Sequence, residues 1–201
     1  TLNRSTSSLP AIRPSPPHAT RSPAFTASTI SASTRSVPAR FFRGTFGVPA
    51  VGVRAAELRS AVDGACEVYL NGARLGTHET WKQAASFPVE KLLKSGRNVL
   101  SVRAENRSGP AQNPAGLIAF LPITFADGKQ RAVVTDTSWR AAKDAPPEWW
   151  QPAFDDSTWK AAAVAAPLGK GPWGNIAGLD GGDLGSVFAD MDPAVRDTYF
   201  A

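Results

Sequence analysis

Apolar residues at every second position are the feature of this sequence that most restricts its fold. The pattern is clear in the runs 66–70 and 100–104, where Cys, Val, Leu and Ala alternate with polar or amphipathic residues. A period of two places successive side chains on opposite faces of a strand. Each run therefore predicts a β-strand with one dry face and one wet face.

Turn dipeptides separate these runs. Asp63-Gly64, Asn71-Gly72 and Asp127-Gly128 favour the left-handed backbone of short hairpin loops, which join antiparallel strands. Between residues 41 and 173, only 89–94 suggest a helical turn. The runs between the turns predict eight strands, at 41–47, 53–62, 66–71, 73–78, 98–106, 116–125, 131–138 and 159–165. The expected fold is an all-β antiparallel sandwich of the jelly-roll type.

Composition divides the chain into three segments. Residues 1–39 are rich in Ser, Pro and Arg and lack acidic residues. They predict a disordered tail, because they offer too little apolar surface to offset the entropy of ordering. The same composition fits either a transit peptide or a plain linker. Residues 40–174 carry the sandwich pattern, and the Gly- and Asp-rich residues 175–201 predict a linker or the start of a following domain, with a short helix at 191–200.

The positive charge of the chain does not indicate nucleic-acid binding. The net charge is +5, but five of the 22 basic residues are arginines within the first 40 positions. The other 161 positions carry 17 basic and 17 acidic residues, whereas phosphate binding needs Lys and Arg concentrated on a folded face. A membrane span is not predicted either, because no run of about 18 apolar residues occurs. The single cysteine, Cys66, excludes a disulfide framework within the chain.

Several motifs in the predicted strands resemble a known group of modules. The sequence CEVYLNG at 66–72, with LGTH at 75–78 and Trp81, resembles a stretch of galactose-binding-like jelly rolls, as does KSGRNVLSV at 94–102. The sequences FADG at 125–128 and TDTSW at 135–139 are similar to a signature of N-terminal domains of bacterial α-L-rhamnosidases. FDDSTW at 154–159 resembles an element that those domains share with sugar-binding domains of family 2 glycoside hydrolases.

The resemblance covers residues 40–174 and implies a role. It implies an accessory module of a larger, multidomain carbohydrate-active protein, with carbohydrate or a neighbouring catalytic domain as its partner. The catalytic carboxylates of such hydrolases lie in separate barrel domains, so the chain by itself is not expected to be an enzyme. An extracytoplasmic location is implied by the resemblance alone. The segment 103–116 departs from the rhamnosidase pattern, so specificity for rhamnose does not follow.

Loop aromatics and amides are the predicted carbohydrate ligands. An aromatic ring can pack on the apolar side of a sugar, and amide groups both donate to and accept from hydroxyls. Trp139 and Trp159 border strands and are expected in the core instead. The amides have a second interpretation, as turn residues around Gly109-Pro110. The predicted binding residues are Trp81, Asn106, Asn113, Trp149 and Trp150.

Metal binding and catalysis find little support in the sequence. Five loop aspartates offer the oxygen ligands that calcium prefers, but they lack D-x-D-x-D spacing. Asp-Gly turns explain two of them, and the pair at 155–156 is expected to cap a short turn. The five aspartates are Asp63, Asp127, Asp136, Asp155 and Asp156. No G-x-S-x-G nucleophile elbow occurs, and Cys66 alternates with inward residues as a small buried side chain would. No cofactor is expected, a structural calcium being the one alternative.

A structural spacer is the alternative to carbohydrate binding. The run 161–166 consists of alanines and one valine, and such small residues would suit close packing on a neighbouring catalytic domain. In that case the sandwich would bind no small molecule. The same run fits an interior strand equally well.

Overall fold

A computed structural model describes residues 28–31, 39–106, 116–170 and 174–179, with the side chains of 28–31 and 167 excepted. These residues form twelve strands in two six-stranded antiparallel sheets, and no helix occurs among them. The predicted all-β sandwich is confirmed. The described residues also contain no helix that could cross a membrane.

The first sheet contains strands from both ends of the described chain. Its strands are β1 (Ser28–Ser31), β3 (Val53–Val62), β6 (Ala85–Pro88), β8 (Leu117–Phe125), β9 (Gln130–Val134) and β12 (Ala163–Pro167). Their order is β12-β1-β8-β3-β6, with β9 also paired to β8.

The second sheet is built around β7. Its strands are β2 (Arg40–Val48), β4 (Ala65–Leu70), β5 (Ala73–His78), β7 (Gly96–Glu105), β10 (Arg140–Ala142) and β11 (Lys160–Ala161). Their order is β11-β10-β2-β7-β4-β5. The β4–β5 hairpin turns through Asn71 and Gly72, whose φ angles of 52° and 87° are those that an Asn-Gly loop supplies.

The main core lies between the two sheets and follows the predicted alternation. Leu58, Val68, Val102 and Leu121 are fully buried in it, each from a different strand. Trp139 joins this core at 1% exposure, as predicted. The predicted strand run 159–165 is divided, because Ala162 leaves the ladder and donates its N–H to the carbonyl of Trp139 at 2.8 Å.

The outer faces of the central strands are not wet, contrary to what the alternation alone predicts. On the first sheet, Ile118 and Phe120 are buried beneath Ile176 and Leu179. On the second sheet, Tyr69 and Arg43 are buried beneath the segment 143–159. Connecting segments fold back over the outer faces of both sheets. The alternation of residues within a strand does not predict this covering.

Both predicted domain boundaries move outward. Strand β1 lies within residues 1–39 and pairs with β12 and β8, while residues 1–27 and 32–38 lie outside the described residues. At the other end, Ile176 is 3% exposed and Leu179 is 0% exposed, so the sandwich extends at least to residue 179 instead of 174. The helix predicted at 191–200 lies outside the described residues, and residues 89–94 form a single turn in which Val89 accepts from the N–H groups of Leu92 and Leu93.

Candidate functional site

Five strand ends meet at one end of the sandwich. The end of β3 lies beside the start of β8, since Val62 pairs with Leu117 and Asp63 donates its N–H to the carbonyl of Gly116 at 2.9 Å. The start of β4 pairs with the ends of β7 and β5. The Asp63-Gly64 turn and the loop 79–84 therefore leave the sandwich at the same rim.

A shallow, open pocket, termed the rim pocket, lies at this rim. Half-buried Trp81 and largely buried Asp63, which is 8% exposed, line it together with apolar side chains. The complete lining is Ala61, Val62, Asp63, Trp81, Gly116, Ile118 and Ile176. The pocket thus combines an indole and a carboxylate on an otherwise apolar wall.

The segment 174–179 holds the loop that carries Trp81. Ala84 donates its N–H to the carbonyl of Ala177 at 2.8 Å, and Ala177 donates to the carbonyl of Lys82 at 3.2 Å. Ile176 packs in the same cluster as Trp81. The loop is therefore fixed on the C-terminal side of Trp81, which reduces the entropy that a ligand would have to remove.

Two polar side chains connect the sheets next to the rim pocket. Ser60, fully buried on β3, lies 3.2 Å from Nε2 of His78 on β5. Burial lowers the pKa of His78, with a smaller opposing effect from a backbone hydrogen bond to Thr80. The neighbouring Cys66 pairs with His78 in the ladder, and burial raises the pKa of its thiol to about 12. Cys66 is thus a protonated core residue, as predicted. Since only the thiolate is nucleophilic, this thiol is not expected to react.

Of the predicted ligands, Trp81 alone lines the rim pocket, and Asn106 lies near the same rim. Asn106 directly follows Glu105, which pairs with Ala65 beside the Asp63-Gly64 turn, and it is half-buried. Asn113 lies outside the described residues.

Trp149 and Trp150 lie elsewhere, on the outer face of the second sheet. Trp149 is 4% exposed and packs edge-on against Phe41 at 5.0 Å between ring centroids. Trp159, 9% exposed, stacks on Trp149 at 6.1 Å, which confirms its predicted core position. Only Trp150 of this group combines partial exposure with a loop position. The predicted tryptophans therefore do not form one site, and Trp149 belongs to the core instead of a binding surface.

The described residues do not assemble a calcium site. In this part of the chain, no three His, Cys, Asp or Glu side chains converge. Asp155 caps a turn, as predicted, by accepting from the N–H group of Ser157 at 3.0 Å, and Asp136 accepts in the same way from Ser138 at 2.8 Å. The hydrogen bonds from Ser157 lower the pKa of Asp155. Asp156 pairs with Arg43 at 2.8 Å, an ion pair that no local signal in the sequence indicates.

Asp63 and Ile176 are the site residues that sequence reasoning missed. The Asp-Gly dipeptide predicts a turn at Asp63, and the turn is present, but the carboxylate also lines the rim pocket. The glycines around Ile176 predict a linker, whereas Ile176 packs against the sandwich. Ile176 and Leu179 are large apolar residues in a Gly-rich segment. That is the signal in the sequence that this segment packs on the sandwich.

Known proteins share this fold and part of this sequence. No family model matches the chain. An α-L-rhamnosidase of Streptomyces avermitilis is 37% identical over 151 residues, which are 71% of this chain and 14% of that protein. The crystal structure of a Streptomyces avermitilis α-L-rhamnosidase complexed with L-rhamnose superposes with a TM-score of 0.67 at 33% identity, over 77% of this chain and 16% of the enzyme.

The chain resembles a galactose-binding-like domain of α-L-rhamnosidases. The predicted resemblance is thereby confirmed. A lectin from Pleurotus ostreatus, solved in complex with GalNAc, also superposes, with a TM-score of 0.66 and 29% identity over 76% of this chain and 47% of the lectin. The chain spans about one seventh of the length of the rhamnosidase it matches. It is thus similar to one module of a larger enzyme, of the accessory or carbohydrate-binding kind.

Proposed function

We propose that this galactose-binding-like domain binds carbohydrate at the rim pocket and serves as a non-catalytic module of a larger carbohydrate-active protein. The observation that supports this most directly is the pairing of a half-buried Trp81 with a largely buried Asp63 in one pocket. Two relatives of the fold were solved with sugars, L-rhamnose in the Streptomyces avermitilis enzyme and GalNAc in the mushroom lectin. Both sugars are accordingly the first ligands to test.

The rim pocket has the chemistry that a sugar ring requires. The Trp81 indole offers an apolar face to the C–H side of the ring, and the Asp63 carboxylate on the same wall is an acceptor for a ring hydroxyl. A bond to a charged acceptor with little exposure to water is stronger than one at an open surface. Asn106, at the same rim, adds an amide that both donates and accepts.

Binding without hydrolysis fits the lining of the rim pocket. Most glycoside hydrolases use two carboxyl groups roughly 5–9.5 Å apart. Among the described residues, the pocket is lined by one carboxylate, that of Asp63. A shallow pocket buries little ligand surface, so we expect dissociation constants of roughly 0.1–1 mM for monosaccharides.

Isothermal titration with L-rhamnose and GalNAc tests the proposal. Trp81→Ala and Asp63→Asn should each weaken binding by about tenfold or more, because each removes a principal contact. Lys82→Ala is the matched control, since Lys82 is an exposed neighbour on the same loop and should leave the affinity unchanged. Equal affinities in all four proteins, with unchanged circular dichroism, would refute a sugar site at this rim. The absence of measurable binding in the wild type would do so too.

The spacer role remains the second proposed function, and strand β12 supports it. Ala163, Val164 and Ala165 are exposed on this edge strand, and Val164 is 43% exposed. The neighbouring Ala162 and Ala166 are buried, so the alanine run is partly interior and partly surface. If β12 packs on an adjoining catalytic domain, Val164→Lys should lower the thermal stability of the longer protein and not that of the isolated module. Thr158→Lys, at an exposed position away from β12, is the control.

A further inference from the structure

A second surface with sugar-binding chemistry lies on the outer face of the second sheet. Strand register puts Glu67 opposite Arg103, and Tyr69 opposite Arg74 on the other neighbouring strand. Arg103 also lies opposite Phe41 of β2. Residues two apart on a strand share a face at a spacing of about 7 Å. These side chains therefore form one patch beside the segment 143–159, which covers the rest of the face.

Trp150 forms the aromatic border of this patch. Its indole stacks on Tyr69 with 5.2 Å between centroids and 16° between planes, and its edge meets Trp149 at 6.1 Å. Trp149 is itself buried, so the stack has a rigid base. Trp150 nevertheless remains partly exposed. An indole held in this way presents apolar area with little conformational entropy to lose.

Polar groups of the patch are fixed by one another. Tyr69 donates its hydroxyl to Glu67 at 3.4 Å, Arg74 reaches the other oxygen of Glu67 at 3.4 Å, and Arg103 pairs with Glu105. Burial, followed by the Glu67 carboxylate, raises the pKa of the Tyr69 phenol. The side chains stay accessible, at 33% for Glu67 and 55% for Arg74. Acceptors and donors are thus held in place at a surface that a ligand can reach.

The composition of the patch decides between kinds of ligand. Two carboxylates and two guanidinium groups balance, so neither an anionic polymer nor a membrane surface is favoured. The large hydrophobics that the described residues expose are Val51 and Val164, and neither lies on this sheet face. An apolar protein partner is therefore not favoured either. The patch combines an aromatic border with ion pairs whose charges sum to zero. This combination suits a ligand that has both C–H faces and hydroxyls.

We infer that Trp150, with Glu67, Arg74 and Arg103, forms a second carbohydrate-binding surface, specific for neutral glycan chains. The sugar packs against Trp150, and its hydroxyls bond the Glu67 carboxylate and the two guanidinium groups. This inference goes beyond the rim pocket and does not depend on it. The rim pocket and this patch lie on opposite sheets, so one long glycan or two neighbouring chains would engage both and gain avidity.

Affinity electrophoresis of the full chain in gels containing galactomannan, arabinoxylan or xyloglucan tests the inference, with polygalacturonate as the charged comparison. For a neutral polymer that retards the wild type, Trp150→Ala should weaken binding by about tenfold, the loss expected of one aromatic contact. Arg103→Ala should weaken it in the same direction. Lys143→Ala, an exposed residue of the covering segment, is the matched control and should bind as the wild type does.

The outcomes separate the two sites. If Trp150→Ala and Arg103→Ala bind as the wild type while Trp81→Ala loses binding, the second surface is refuted and the rim pocket stands. If Trp81→Ala binds normally and Trp150→Ala does not, the second surface stands and the rim pocket fails. If no neutral polymer retards the wild type, or if polygalacturonate retards it more strongly, the second surface is refuted. Should Trp150→Ala lose its near-ultraviolet circular dichroism, Arg103→Ala and Glu67→Gln decide, because both positions are partly exposed.

Discussion

Replacing Arg43 should destabilise this domain far more than replacing an exposed charged residue. Its side chain is 0% exposed and lies on β2 under the segment 149–156. Nε donates to Asp156 at 2.8 Å, while the two Nη atoms donate to Ser101 and to three backbone carbonyls of the covering segment. The guanidinium also lies 5.2 Å from the ring centroid of Phe154.

The expected loss follows from the groups that Arg43 leaves behind. Arg43→Met keeps much of the apolar stem but removes the charge and every donor. Removing one partner of a buried ion pair costs about 3–5 kcal/mol. Asp156 is 19% exposed and regains some water, which lowers that cost, whereas carbonyls left without donors add about 1 kcal/mol each. We expect the free energy of unfolding to fall by at least about 4 kcal/mol.

Urea unfolding at pH 7, followed by tryptophan fluorescence, measures this loss. Arg140→Met is the matched control, because Arg140 pairs with Arg43 across the strands but is exposed, and it should change stability by less than about 0.5 kcal/mol. The double variant Arg43→Met/Asp156→Leu should be more stable than Arg43→Met alone, since it leaves no unpaired carboxylate. A loss below about 1 kcal/mol in Arg43→Met would refute the reasoning.

Three further predictions concern the core. Gly44→Ala would place its Cβ 2.5 Å from the Trp139 ring, so it should cost about 1–3 kcal/mol in urea unfolding, whereas Gly47→Ala on the same strand has no atom within 4 Å and should not. The Cys66 thiol, with its pKa raised to about 12, should resist Ellman's reagent until the protein unfolds. Stability should fall between pH 9 and pH 12, because only the unfolded thiol ionises there, and Cys66→Ala should lack that contribution. His78 has a lowered pKa, so its contribution to folding stability is complete above pH 6.5 and is lost as the pH falls through its folded pKa. In a series of thermal melts at decreasing pH, His78→Gln should therefore lose less stability than the wild type.

Local signals predicted the parts of the fold that local chemistry determines. Strands β3 and β5 occupy the predicted residues, and the Asn71-Gly72 turn has the positive φ angles that its residues favour. Alternation placed Cys66 in the core correctly. In each of these cases the deciding interactions lie within a few residues along the chain or across one hairpin.

Distant contacts decide the parts that were missed. Strand β1 has the sequence STIS, which carries no apolar alternation, and it forms because β12 and β8 flank it. Trp149 lies in a polar, Pro-rich loop and is buried because that loop folds over Tyr69 and Phe41. Arg43 lies 113 positions from its carboxylate partner. The candidate site depends on the same kind of contact, since Trp81 meets Ile176 only after the chain returns to the rim.

The pairing of β12 with β1 sets the limits of any fragment that is to behave as an intact domain. A recombinant protein that starts at Arg40 would leave β12 without its partner and would remove the pairing of Ile30 with Leu117 at the start of β8. Unpaired backbone of that kind recruits strands from other molecules, so such a fragment should self-associate as its concentration rises. A fragment that begins before Ser28 and continues past Leu179 keeps β1 paired between β12 and β8. It should stay monodisperse in size-exclusion chromatography.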